Sequence, residues 1–150
     1  MTYRLALWAA LAGGLIPLMA VINARLGKSL GDALFAPMVL FLLALSLSVG
    51  LALVLSSSRL DWNALSQAQP IDFAGGLIVC FYVVSATLLA PRMGVGNFIL
   101  FAVVAQIVVA TCIDHFGLLG AAVRELSTVR AIGIGLLISG LFVTQWSAQN

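Results

Sequence analysis

Five long apolar runs, each close to 20 residues, occupy most of the chain and are bounded by charged residues, glycine or proline. A helix of about 20 apolar residues spans the roughly 30 Å hydrocarbon core of a bilayer. The sequence therefore predicts an all-α integral membrane protein, with one transmembrane domain of five helices over residues 1–150. The approximate spans are 5–24, 35–55, 71–90, 95–113 and 129–146.

The composition excludes soluble and nucleic-acid-binding proteins. Hydrophobic residues make up 63% of the chain and charged residues only 8%, whereas soluble domains carry about 25% charged residues. The seven Lys and Arg residues are spread thinly along the chain, so no basic patch exists to hold nucleic acid. The first run is longer than the 7–15 residues typical of a signal-peptide core, and we expect it to be retained as a helix.

The sequence does not provide a catalytic or metal-binding constellation. His115 is the single histidine, so the sequence offers few residues from which a hydrolytic triad could be built. Cys112, Asp114 and His115 are possible metal ligands, but a structural zinc site needs four ligands and only Glu125 could join them. We therefore predict no enzyme activity, no metal and no cofactor, and an enzyme acting on lipids has the least support.

Five spans place the two termini on opposite sides of the membrane, and the cationic residues barely distinguish those sides. Membrane proteins orient by an excess of Lys and Arg on the cytoplasmic side. Here the count is four against three: Arg4, Arg59, Arg124 and Arg130 on one side, and Arg25, Lys28 and Arg92 on the other. The near balance is compatible with one weakly determined orientation, but it favours dual topology. Two inverted copies would then pair as an antiparallel dimer.

Uncharged polar residues are the candidates for a substrate cavity. Gln106 falls near the centre of the fourth span, where a bilayer supplies no hydrogen-bond partner. It either bonds a neighbouring helix or lines a passage for substrate, and both interpretations stay open. Asn23, Asn97 and Tyr82 are weaker candidates for the same cavity.

Charged residues lie only near the ends of the spans. Asp114 and His115 close the fourth span, as a helix-end polar pair that either anchors the helix at the interface or takes part in function. Small residues and a proline suit tight helix packing or hinge bending. These packing or hinge candidates are Gly13, Gly14, Pro17, Gly75, Gly76, Gly133, Gly135 and Gly140.

The order of several short motifs resembles the YdcZ-like short branch of the drug/metabolite transporter superfamily over essentially the whole chain. The motifs are Pro17, then NARLG at 23–27, Gly75-Gly76 with Tyr82, APRMG at 90–94, Gln106 and DHFGL at 114–118. Ala105 stands where this family tends to have glycine before the glutamine. Asn23, Gln106, Asp114 and His115 match positions of the recurrent pattern.

This resemblance implies a multi-pass protein of the bacterial inner membrane whose five helices are like one half of a ten-helix inverted-repeat transporter. It also implies a homodimer, or a heterodimer with a related five-helix chain. We therefore expect a transporter in contact with membrane lipid that moves a small organic metabolite or drug-like compound by alternating access. One alternative is a proton-coupled small multidrug exporter, although such proteins carry a glutamate in their first helix and this chain does not. The other is a structural or regulatory subunit that packs on another membrane protein.

Overall fold

The computed structural model describes residues 3–58 and 61–147, which form helices joined by turns and loops and contain no strand. Five of the helices are long and apolar enough to cross a membrane. They confirm the predicted all-α fold and the five transmembrane helices. Arg59, one of the residues in the charge count, lies outside the described residues. The α-helices are α1 (Tyr3–Leu30), α2 (Phe35–Leu55), the short α3 (Trp62–Ser66), α4 (Ala74–Met93), α5 (Val95–Phe116) and α6 (Thr128–Ser147).

The first helix continues beyond its apolar run. With 28 residues, α1 is about 42 Å long at 1.5 Å per residue, which exceeds the hydrocarbon thickness of about 30 Å. Pro17 lies inside α1 and does not end it. The last turns of α1, from Arg25 to Leu30, therefore extend past the predicted span.

The second helix is apolar on every side. Only Ala36 and Pro37 are buried within α2; Val39, Leu40 and Phe41 are half-buried, and the rest of the helix is exposed. The hydroxyl groups of Ser46 and Ser48 donate to the carbonyl oxygens of Leu42 and Leu45, at 2.9 and 3.0 Å. Since these hydroxyls are satisfied inside the helix, they are compatible with a lipid environment.

A single glycine separates α4 from α5. The fourth helix continues through Pro91 to Met93, and Gly94 then adopts φ +89°. A residue with a Cβ is strained at such a positive φ, whereas glycine is not. The break therefore depends on Gly94 rather than on Pro91.

The chain divides into two compact units, Met1–Arg92 and Met93–Asn150. The core of the first unit consists mainly of small side chains, which allow helices to approach closely: Ala20, Ala36, Val83, Ala86 and Ala90 are all at most 3% exposed. In the second unit α5 packs against α6, and Phe98 and Val104 are buried. The single-domain organisation stays a prediction.

Candidate functional site

Gln106 lies at the middle of α5 and is exposed on the surface of the single chain. The helix has 22 residues and a length of about 33 Å, so Gln106 sits close to the bilayer midplane. Its amide forms no hydrogen bond with any other described residue. An amide without a partner in an apolar environment costs about 1–3 kcal/mol. Gln106 therefore needs a partner that this chain does not provide in its described residues.

Asn23 is a second unsatisfied amide, but it is buried. It is 4% exposed, and its Nδ2 has no hydrogen-bond partner among the described residues. Ala20 and Gly27, the other buried residues of α1, lie about one turn before and after it and form one stripe with it. Asn23 is therefore part of the packed face of α1, where a free amide group is unusual.

Asn97 has both of its amide atoms engaged near the beginning of α5. Its Nδ2 donates to the carbonyl oxygen of Met93 at 2.8 Å, and its Oδ1 accepts from Nε2 of Gln145 at 3.2 Å. The second bond joins the beginning of α5 to the end of α6. Asn97 lies nine residues before Gln106, about 13 Å along the helix, so the two amides do not share one site within the chain.

Asp114 forms bonds with α6 and with the segment that leads into it, and His115 forms a bond with that segment. Asp114 Oδ2 lies 2.9 Å from Arg130 Nη2, in an ion pair that is about one-third exposed on each side. The carbonyl oxygen of Asp114 accepts from the backbone N–H of Arg124 at 2.7 Å. The ring Nδ1 of His115 accepts from the backbone N–H of Leu126 at 3.2 Å. This end of α5 is therefore a hydrogen-bonded junction with α6.

Gly117 follows directly and allows this junction to form. It adopts the left-handed conformation with φ +62°, and its N–H caps α5 by donating to the carbonyl oxygen of Ile113. A Cβ at this position would lie 2.7 Å from Cγ2 of Val123. Both the backbone angle and the space require glycine here.

Tyr82 lies on α4, half-buried, just before the buried residues Val83, Ala86 and Thr87. The same helix lines an apolar cleft of about 540 Å³ within the first unit. Ser85 and Cys80 are its polar members, and the others are Leu77, Phe81, Val84, Leu88 and Leu89. All seven lining residues belong to α4, so the cleft is an open groove along one helix.

The glycines predicted for packing face open space within the chain. A Cβ added to any of them would find no atom within 4 Å, and this holds for Gly13, Gly14, Gly75, Gly76, Gly133, Gly135 and Gly140. Gly27 differs, because its Cβ would lie 2.8 Å from Cα of Ala33. The use of the seven open glycines in helix contacts, and of Pro17 as a hinge, stays a prediction that requires another chain or another state.

Sequence reasoning missed two residues of these junctions. Sequence patterns do not indicate Gln145, and they indicate Arg130 only as a charge that sets orientation. Their partners lie 48 and 16 residues away in the sequence. The ion pair of Arg130 has one signal in the sequence: an acidic residue ends one helix and a cation begins the next.

The helices and their polar ends are those of a multi-pass membrane protein. Residues 5–143 match the sequence family described as "Putative inner membrane exporter, YdcZ". The chain belongs to this family of the drug/metabolite transporters, which confirms the resemblance noted from its motifs. A search of curated proteins and a search of solved structures gave no match. Family membership and the five apolar helices support a transporter in the inner membrane.

Proposed function

We propose that the protein transports a small organic metabolite or drug-like compound by alternating access, as an antiparallel dual-topology dimer. The observation that carries this proposal is Gln106, an amide near the middle of α5 that is exposed and has no hydrogen-bond partner among the described residues. Lipid offers no partner for it. A second, inverted copy would cover the same face and enclose the amide in a shared polar cavity.

The open glycines add support from other helices. Glycine faces allow two helices to approach closely inside a membrane, yet a Cβ added to Gly133 or Gly140 of α6 would meet no atom of the described residues within 4 Å. They lie seven residues apart and so share one helix face. A partner chain on this face would make the contact that the single chain lacks.

The apolar cleft on α4 supports an apolar or amphipathic substrate. Its lining offers the Ser85 hydroxyl and the Cys80 thiol as polar groups and otherwise consists of aliphatic and aromatic side chains. Sites for small organic ligands commonly combine an apolar wall with a few polar groups.

A transport assay in proteoliposomes tests the function. Purified protein is reconstituted and screened with panels of radiolabelled metabolites and fluorescent drug-like compounds, with Gln106→Leu as the matched variant. We expect wild-type uptake of at least one compound and its loss in the variant. Uptake equal to that of protein-free liposomes across both panels would contradict the proposal.

Proton-coupled multidrug export receives less support. Asp114 is the candidate carboxylate for such coupling, and it is paired with Arg130 near the end of α5. An essential proton site would make transport against a pH gradient sensitive to Asp114→Asn. We expect this variant to retain transport.

A structural or regulatory subunit is the second candidate, because the same open face of α6 would fit an unlike membrane protein. Labelling separates the two functions. Gln106→Cys is placed in a background without Cys80 and Cys112, and the membranes are treated with a water-soluble maleimide. Reaction of the cysteine at position 106 with the maleimide indicates a water-filled cavity, as transport requires. Protection of this cysteine in the assembled protein indicates helix packing alone.

A further inference from the structure

A cleft of about 370 Å³ lies within the first unit, where α1 and α4 end. Its wall consists of the last turns of both helices and of residues 31–33, the turn that leads to α2. Lys28, Asp32 and Arg92 are the charged residues of this wall. We call it the cationic cleft, because two of these three residues carry positive charge.

Close packing holds the turn of the cationic cleft against α1. The Cβ that Gly27 lacks would lie 2.8 Å from Cα of Ala33, so the turn approaches the helix backbone directly. Oδ1 of Asp32 accepts from the backbone N–H of Leu34 at 2.8 Å, just before α2 begins. One oxygen of the Asp32 carboxylate is therefore held by its own turn, and its negative charge stays in the wall of the cleft.

Lys28 and Arg92, in contrast, have no ion pair and no side-chain hydrogen bond with any described residue. Both lie in the last turn of a helix, where the helix dipole favours a cation. The dipole accounts for each cation separately. It does not account for two cations from different helices at one cleft when, among the described residues, neither forms an ion pair with Asp32 in the same wall.

The position of the cleft along the helices corresponds to the lipid headgroups. Lys28 lies four residues beyond Ala24, the end of the first apolar run, which is about 6 Å along the helix. Arg92 lies two residues beyond Ala90, or about 3 Å. The headgroup region extends about 5–7 Å outside the hydrocarbon on each side, so both cations reach the depth of lipid phosphate groups.

We propose that the cationic cleft binds an anionic phosphate group between Lys28 and Arg92. Two sources have this chemistry: the headgroup of an anionic phospholipid and a soluble phosphate compound. A cation near an anionic membrane surface contributes about 1 kcal/mol to binding. Removing both cations should therefore weaken phosphate binding about thirtyfold, and removing one about fivefold.

Native mass spectrometry and thermal unfolding in detergent micelles test this site. Wild type is compared with Lys28→Gln/Arg92→Gln, and with Arg4→Gln/Arg124→Gln as a control that removes two exposed cations outside the cleft. The probes are phosphatidylglycerol, the zwitterionic phosphatidylcholine, and inorganic phosphate. The variant Lys28→Arg/Arg92→Lys keeps both charges and should retain binding.

We expect wild type and the control to retain phosphatidylglycerol in preference to phosphatidylcholine, and the cleft variant to lose this preference. Stabilisation by phosphatidylglycerol but not by inorganic phosphate identifies a lipid ligand, and stabilisation by inorganic phosphate identifies a soluble one. The proposal would be overturned if Lys28→Gln/Arg92→Gln bound phosphatidylglycerol and inorganic phosphate as well as wild type does. It would also be overturned if wild type bound neither of them. The result does not depend on whether the protein transports a substrate.

Discussion

Polar side chains near the ends of α5 and at its middle differ in whether they have hydrogen-bond partners. Near the ends, Asn97 and Asp114 have hydrogen-bonded partners on α6, at 3.2 and 2.9 Å. In the middle, the amide of Gln106 has none among the described residues. The difference suggests that the helix ends serve the folding of one chain, whereas the middle serves contact with something outside it. Substitutions in the two regions should then affect different measurements.

The largest effect on stability is expected at the junction after α5. Gly117→Ala would place a Cβ at φ +62° and 2.7 Å from Val123. The backbone strain and the overpacking together should lower the free energy of unfolding by about 3 kcal/mol. Unfolding in a titration of denaturing detergent measures this loss.

Gly133→Ala is the matched control for Gly117→Ala, because its new methyl group meets no atom within 4 Å. Alanine is favoured over glycine in a helix, so the stability of the single chain should stay equal or rise by up to about 1 kcal/mol. A similar loss of stability in both variants would contradict the contrast between a packed and an open glycine.

Gln106→Leu should show the reverse pattern, with a loss of function and no loss of stability. Leucine keeps the size of the side chain but removes every hydrogen bond that a substrate or a partner copy could form. Transport in proteoliposomes should fall at least about tenfold, equivalent to about 1.4 kcal/mol, while the unfolding curve stays unchanged. Val109→Leu, on an exposed neighbour in the same helix, introduces a leucine without removing a polar group and should transport normally.

The sequence was sufficient for the number, type and order of the membrane helices, because length and hydropathy dominate that choice. It was not sufficient for the pairs that join α5 to α6. Periodicity assigns residues to faces of one helix, but it does not show that Gln145 meets Asn97 or that Arg130 meets Asp114. The position of Gln106 within its span could be predicted from the sequence. Its exposure could not, because it depends on how the helices pack.

Asn97→Leu tests the beginning of α5 with a smaller expected effect. The substitution removes the bonds to Met93 and Gln145, and we expect a loss of about 1 kcal/mol in unfolding free energy. A double-mutant cycle with Gln145→Leu isolates the bond between the helices. Coupling indistinguishable from zero would show that this bond does not stabilise the protein.

Asp114→Asn should have the smallest effect of the series. The ion pair with Arg130 is about one-third exposed, and such pairs contribute little, on the order of 0.5 kcal/mol. The backbone bond from Arg124 to the carbonyl oxygen of residue 114 is unaffected by the substitution. A destabilisation larger than that of Asn97→Leu would reverse the ranking proposed for the two ends of α5.

The central claim is that the chain completes its transport site by pairing with an inverted copy. Reporter fusions to the C-terminus test it most directly, with alkaline phosphatase, which is active outside the inner membrane, and green fluorescent protein, which is fluorescent inside. The account predicts comparable signals from both reporters when each fusion is expressed at the same level. A signal from one compartment alone would show a single orientation and would contradict the antiparallel dimer.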